Sequence, residues 1–205
     1  QKEFNRAMAL FHSFWFDPAK QSFAKVLELD AQCAMANWGI AFMSMGNPFA
    51  WPANPTAMKA AAAAADKARQ LGGKSARERD YIEAVAAYYA DFANRPERAR
   101  QASRAQAFEA LAAKYPSDDE AQIFSALYTT GTQSQADQTY AAYLKAAAVL
   151  EKQFTKYPDH PGVAHYLIHS YDAPPIAPKG LDAARRYSKI APDAPHALHM
   201  PSHIF

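Results

Sequence analysis

Residues 160–205 read HPGVAHYLIHSYDAPPIAPKGLDAARRYSKIAPDAPHALHMPSHIF, and one histidine pattern occurs in this segment twice. Pro158 and Pro192 each close a predicted helix, and a histidine follows each proline at the seventh and at the eleventh residue. These histidines are His165 and His169 in the first copy and His199 and His203 in the second. Residues four apart on a helix lie on one face as neighbours. The segment is therefore predicted to contain two copies of one helical unit, with the corresponding histidines pointing in the same direction.

Similar helix ends recur along the whole chain. Helices are predicted to end at Ala31, Gly73, Pro116, Pro158 and Pro192, at intervals of 42, 43, 42 and 34 residues. Intervals of this size, with two helices in each, are typical of an α-solenoid, where units stack because one unit cannot bury its apolar face alone. Only seven glycines and no long alternating stretches occur. The sequence predicts an all-α fold of about five stacked helical hairpins, the last of them incomplete.

Proline, glycine and polar capping residues divide the sequence into eleven predicted helices. They cover residues 3–14, 18–29, 34–45, 55–71, 75–93, 97–114, 119–129, 136–156, 161–171, 180–190 and 195–204. The chain starts at Gln1 without a methionine and stops inside a predicted helix. We therefore expect one solenoid domain over residues 1–205 that is a piece of a longer protein, with processed or truncated termini.

The composition excludes several classes of protein. The formal net charge is +2 and no basic block occurs, so we expect no nucleic-acid partner. A single cysteine, Cys33, excludes a disulfide framework and an all-thiolate metal site. No apolar run approaches the roughly 18 residues of a membrane span. The sequence leaves open the oligomeric state and the compartment, bacterial periplasm or cytoplasm.

The first helix pair, residues 4–30, resembles a tetratricopeptide repeat (TPR). Ala19, Phe23 and Val26 stand where that family has the small and aromatic packing residues of its second helix. The resemblance implies a right-handed superhelix in which the first helix of each pair lines a concave ligand groove. Two departures are that most units exceed the 34 residues typical of the family, and that Glu83 replaces an expected small residue.

Three further segments, residues 33–39, 160–169 and 196–205, resemble a bacterial, histidine-rich subgroup of TPR proteins. This resemblance implies no particular activity. The family's usual clamp for a C-terminal carboxylate uses lysine and asparagine on the first helices. The corresponding positions here hold Trp38, Phe42, Asp80, Ala84, Ile123, Leu127 and the histidines, so the clamp is absent.

The histidines predict a transition-metal site in the groove. Packed helices lie about 8–10 Å apart and a Zn–N bond is about 2 Å long, so imidazoles from neighbouring units can share one ion. The predicted ligands are His165, His169, His199 and His203, and the predicted auxiliary residues are His160, His196 and Asp172. Imidazole suits zinc and copper, Met200 would add a soft ligand for copper, and Asp172 can be a ligand or an acceptor that fixes a ring tautomer. Three histidines and a water leave an open position and four close the site, so a catalytic role stays open.

Other interpretations of the same histidines remain. The chain can be a scaffold for protein–protein interaction that binds a peptide segment without metal. The histidines can also contact a small-molecule ligand, or pack without any ligand. No His-Glu-x-x-His motif, glycine-rich phosphate loop or haem-attachment motif is present. His12 is expected to be a solvated residue at a helix end, although a curved solenoid could bring it toward the groove. Pro201 would remove a hydrogen bond inside the predicted helix 195–204, so that helix can start at Pro201 instead, which would leave His196 and His199 in a turn.

Overall fold

The structure, a computed structural model, describes residues 1–50 and 55–205, and every regular element in these residues is a helix. The α-helices are α1 (Lys2–His12), α2 (Phe16–Leu29), α3 (Ala34–Ser44), α4 (Pro55–Leu71), α5 (Ala76–Tyr89), α6 (Glu97–Lys114), α7 (Asp119–Thr130), α8 (Ala141–Lys156), α9 (Pro161–Ser170), α10 (Leu181–Ile190) and α11 (Pro195–His199). Short 3₁₀ helices cover Ala177–Gly180 and Met200–His203. The prediction of an all-α fold built from consecutive helices is confirmed.

Three predicted helices extend beyond the observed ones to include a residue with positive φ. Phe14 follows α1 with φ 50°, Asp91 follows α5 with φ 49°, and Tyr140 precedes α8 with φ 55°. An L-residue at such φ leaves the right-handed helix. Before α8, the Asp137 carboxylate also accepts hydrogen bonds from the main-chain N–H groups of Thr139 and Ala141, at 2.9 and 3.2 Å. This local turn replaces the predicted helical start at residue 136.

Pro201 interrupts the last predicted helix, but the alternative in which that helix starts at Pro201, with His196 and His199 in a turn, is wrong. The α-helical part ends at His199, and Met200–His203 continues as a 3₁₀ helix. Proline has no N–H to donate to the carbonyl group four residues earlier, so the α-helical ladder cannot continue through it. His199 and His203 therefore lie on two different short elements.

The described residues divide into two compact units. Unit 1 comprises residues Gln1–Phe11 and Phe16–Leu111, and unit 2 comprises His12–Trp15 and Ala112–Phe205. The expectation of a single domain over residues 1–205 stays a prediction. No described helix is both long enough and apolar enough to traverse a lipid bilayer.

Unit 1 is held together by aromatic side chains between consecutive helices. Helix α3 packs on both α2 and α4, and α4 packs on α5. The Phe42 ring stacks on Phe108 with centroids 5.4 Å apart, and Trp38 Nε1 donates to the Tyr81 main-chain oxygen at 3.0 Å. These rings are fully or nearly fully buried, and burial of this apolar area stabilises the unit.

Unit 2 is organised around α9. Helix α9 packs on α7, α8 and α10, and the last 3₁₀ helix packs on both α9 and α10. Residues 162–170 of α9 are all buried, so α9 forms the centre of the unit. The side chains of these residues, which include His165 and His169, are therefore enclosed by neighbouring helices.

The contact between α2 and α3 in unit 1 gives a test of the packing. A Cβ atom at Gly39 would lie 2.4 Å from the fully buried ring of Phe23. We expect Gly39→Ala to lower the free energy of unfolding by about 1–3 kcal/mol, because overpacking outweighs the gain in helix propensity. Urea denaturation measures the change. Gln106→Ala, at an exposed helical position, is the matched control and should stay within about 0.5 kcal/mol of the wild type. Equal stability of both variants would contradict the packing.

Candidate metal centre

Three imidazoles converge inside unit 2. His165 and His169 lie four residues apart on α9, and His196 lies in the first turn of α11. The Nε2 atom of His165 is 3.1 Å from Nε2 of His169 and 3.0 Å from Nε2 of His196. One nitrogen from each ring falls in a group whose members all lie within 4.8 Å of one another. We call His165, His169 and His196 the histidine trio.

The tautomer of His165 follows from its surroundings. Its Nδ1 lies 2.7 Å from the main-chain oxygen of His12. A carbonyl oxygen can only accept, so Nδ1 carries the hydrogen and Nε2 presents a lone pair to the other two rings. In the protein without a metal, the Nε2–H groups of His169 and His196 can both donate to that lone pair. A metal ion can take the same position, because a neutral imidazole coordinates through such a nitrogen.

Aromatic rings enclose the histidine trio. The Phe14 ring lies edge-on to His165 with centroids 4.3 Å apart and stacks on His196 and His169 at 5.3 and 6.0 Å. Tyr187 stacks on His165 at 5.0 Å. The positive φ of Phe14, 50°, is a strained conformation for a bulky residue, of the kind that concentrates at functional sites.

Burial keeps these imidazoles neutral. Desolvation by burial, followed by the neighbouring His196, holds the pKa of His165 well below 6.5. Burial and then His165 act in the same direction on the pKa of His169. Burial, with His199 and His203, lowers the pKa of His196 to about 4. At neutral pH the three rings are therefore uncharged, which is the protonation state that a metal ligand requires.

The donor set and its spacing fit a transition metal. Two nitrogens bound to one tetrahedral ion at about 2.0–2.1 Å lie roughly 3.3 Å apart, and at a square-planar corner roughly 2.8 Å apart. The observed 3.0 and 3.1 Å lie between these values. No carboxylate belongs to the histidine trio, so its donors suit zinc or copper better than calcium or magnesium.

His199 and His203 form a pair of their own next to the trio. Their Nε2 atoms are 3.0 Å apart, and Nδ1 of His203 is 2.7 Å from Oδ2 of Asp172. The His203 ring centroid is 5.9 Å from that of His169, and the His199 centroid is 6.0 Å from that of His196. Asp172 thus contacts the pair through His203, in the geometry of an acceptor that fixes a ring tautomer.

A second group of potential ligands consists of His12, Glu120 and His160. Nε2 of His12 lies 3.2 Å from Oε2 of Glu120, and Nε2 of His160 lies 3.3 Å from Oε1. The Nδ1 atom of His160 accepts a hydrogen bond from the main-chain N–H of Val163 and caps α9. Its Nε2 therefore carries a hydrogen and donates to Glu120, so it offers no lone pair to an ion.

The charge state of Glu120 supports a structural role for this second group. Burial alone would raise the pKa of Glu120, but the charges and hydrogen bonds of His12 and His160 outweigh it and hold that pKa far below its usual range. A charged carboxylate between two imidazoles is a stable arrangement without a metal. The group also holds the His12 segment in place, and the carbonyl group of His12 orients His165.

The structure corrects two expectations. The sequence predicted that His165 and His169 face a groove, but they are 0% and 6% exposed, because α9 is the central helix of its unit. His12 was expected to be solvated at a helix end, but it is 2% exposed. Phe14, Tyr187 and Glu120 were not predicted at all, since nothing in their spacing marks them. Met200 is fully buried on the last 3₁₀ helix.

Lowering the pH is expected to destabilise the metal-free protein. The pKa values of His165 and His169 in the folded state lie well below 6.5, while the unfolded chain takes up protons near that value. Stability is therefore full above about pH 6.5 and falls as the pH drops toward the folded-state values, by roughly 1.4 kcal/mol per pH unit for each such histidine. Urea denaturation between about pH 7.5 and 5.5 measures the slope. His169→Phe should flatten it, and an unchanged slope would contradict the buried neutral state.

Comparison with known proteins gives a likeness in fold. No protein-family model matches this chain, and no curated protein sequence matches it. It is similar to a solved structure described as "Crystal structure of YrrB: a TPR protein with an unusual peptide-binding site". The two share 16% sequence identity with a TM-score of 0.47, over 98% of this chain and 90% of that chain. The predicted TPR-type fold of helical hairpins rests here on the described helices themselves, and YrrB's peptide site remains a property of YrrB.

Proposed function

We propose that this chain is a TPR-type ligand-binding module that binds a transition-metal ion, zinc or copper, through the Nε2 atoms of His165, His169 and His196. The observation that supports this most strongly is the closeness of the three rings: Nε2 of His196 and Nε2 of His169 lie 3.0 and 3.1 Å from Nε2 of His165, and one nitrogen of each ring lies within 4.8 Å of the others. Hydrogen bonds to the Nε2 lone pair of His165 hold the rings together in the metal-free protein, and an ion at the same position would replace them.

The surroundings of the histidine trio favour the same function. The hydrogen bond from His165 Nδ1 to the His12 oxygen, 2.7 Å long, is the arrangement that fixes the tautomer and orientation of metal-binding histidines. Phe14 and Tyr187 exclude water from the rings, which strengthens ligand–ion interactions. Three protein ligands leave one position of a tetrahedral ion for water or another ligand.

Elemental analysis of the untagged protein tests the proposal directly. We expect one or more equivalents of zinc or copper, or uptake of that amount by the metal-stripped protein. His196→Ala removes a half-buried ligand with little effect on packing and should weaken Zn²⁺ binding by at least about 100-fold, more than loss of a group beyond the ligands usually does. His165→Ala should do the same, with circular dichroism to verify that the variant is folded.

Lys189→Ala is the matched control. It shortens an exposed side chain on α10, in the same unit as the histidine trio. Its Zn²⁺ affinity should equal that of the wild type. A stripped protein that takes up neither Zn²⁺ nor Cu²⁺ would overturn the proposal and leave the peptide-binding scaffold without metal as the function to test.

Metal binding should also stabilise the fold. An ion that binds the native but not the unfolded state, at a free concentration of 100 times its Kd, adds about 2.7 kcal/mol. We expect the Tm of the wild type to rise on addition of Zn²⁺ and the Tm of His196→Ala to change much less. An equal rise in both proteins would show that the ion acts elsewhere on the chain.

A further inference from the structure

The pair formed by His199 and His203 has the same local design as the histidine trio. In the trio, the His12 carbonyl oxygen fixes the tautomer of His165. The Nε2 atoms of His196 and His169 lie 3.0 and 3.1 Å from Nε2 of His165. In the pair, a carboxylate oxygen of Asp172 lies 2.7 Å from Nδ1 of His203, and Nε2 of His199 lies 3.0 Å from Nε2 of His203. A carboxylate accepts, so His203 Nδ1 carries the hydrogen and its Nε2 presents a lone pair.

Each group thus has its own oriented ligand with its own acceptor. His165 and His203 are the two fixed rings, and the remaining histidines are arranged around one or the other. Five imidazoles also exceed what one ion needs, because zinc in proteins is almost always four-coordinate. The convergence of nitrogens in the buried group involves only the trio among the described residues. The Nε2 lone pair of His203 is therefore available to a separate ion, which the proposed function does not yet include.

The pair is accessible in a way that the trio is not. The His199 residue is exposed, and the His203 side chain is 29% exposed. His203 and Asp172 are among the residues that line a cavity of about 430 Å³, whose other walls include Pro174, Ala177, Leu181 and Ile204. Apolar walls with a few polar groups are typical of a small-ligand site. An ion at the pair can therefore be reached from outside.

We propose that His199 and His203 bind a second transition-metal ion next to the first, so that unit 2 holds a two-ion centre. This inference rests on the proposed metal-binding function. The first ion has two buried imidazole ligands and the half-buried His196, and the second has two more accessible ones with Asp172 orienting His203. The second ion keeps at least two coordination positions for water or for a donor group of a small molecule in the cavity. Zinc or copper is again the class of ion that imidazole suits.

The test is a Zn²⁺ titration of the full, untagged, metal-stripped chain by calorimetry, with elemental analysis after gel filtration. We expect two equivalents in the wild type, the second weaker than the first. The double variant His199→Ala with His203→Ala should retain one equivalent at the wild-type affinity of the first site. His196→Ala should instead weaken the tighter binding step.

Asp172→Asn distinguishes a metal site that Asp172 orients from nonspecific metal binding by two accessible histidines. It should weaken the second binding step by about 10–100-fold and leave the first unchanged, because a neutral amide replaces the charged carboxylate that accepts from Nδ1 of His203, while both imidazoles remain. With Cu²⁺ as the probe, the second equivalent should broaden and weaken the EPR signal of the first, since closely spaced paramagnetic ions couple. No effect of Asp172→Asn on the second step would overturn the inference.

The stoichiometry distinguishes the remaining outcomes. One equivalent that is unaffected by the double variant overturns the second site and leaves the proposed function in place. One equivalent that both the double variant and His196→Ala weaken means a single ion shared by the two groups, which also overturns the inference. No uptake at all overturns the proposed function, and the inference with it.

Discussion

The hydrogen bond between Nδ1 of His165 and the main-chain oxygen of His12, 2.7 Å long, is the constraint on which the candidate centre depends. It decides which nitrogen of His165 carries the hydrogen, and so which nitrogen faces His169 and His196. It also ties the segment His12–Trp15 to the middle of α9. Without that acceptor, His165 would have no fixed tautomer, and its Nε2 lone pair would not be directed at His169 and His196. A main-chain atom, which no side-chain pattern can reveal, thus determines the chemistry of the side chains around it.

Two carboxylates have separate tasks around the histidines. Glu120 accepts from His160 and contacts His12, and this holds the segment that supplies the carbonyl group. Asp172 accepts from His203 and orients a ring directly. Neither carboxylate belongs to the histidine trio. The imidazoles therefore keep their neutral character, since a nearby negative charge would favour their protonation.

The helices were predictable because their limits are set locally. Pro158 and Pro192 stop helices wherever they stand, and the predicted and observed bounds of α4 and α6 agree to the residue. The misplaced ends have a different origin. Phe14, Asp91 and Tyr140 take positive φ although none of them is glycine, so tertiary packing overrides local preference there. A single sequence carries no mark of such a residue.

The candidate site was predictable only in part, for a related reason. The four-residue spacing of His165 and His169 places both rings on one face of α9, and that follows from helical geometry alone. The third ring of the trio is His196, which the sequence ranked as an auxiliary. His199 ends an α-helix and His203 lies on the 3₁₀ helix Met200–His203, so these two histidines do not share one α-helical face as strict repetition implies. Long-range partners such as Phe14 and Tyr187 depend on how the chain returns to α9. Spacing along the sequence cannot give this.

The position of Phe14 has a consequence for rates as well as for equilibria. Its ring contacts three imidazoles at once, so an ion that reached those rings from the side of Phe14 could pass only when the segment His12–Trp15 opens. The rate of ion exchange at the histidine trio by that route would then follow the frequency of the local opening. The pair of His199 and His203 would exchange its ion with the solvent without such an opening. Two neighbouring sets of histidines would in this way exchange their ions at very different rates.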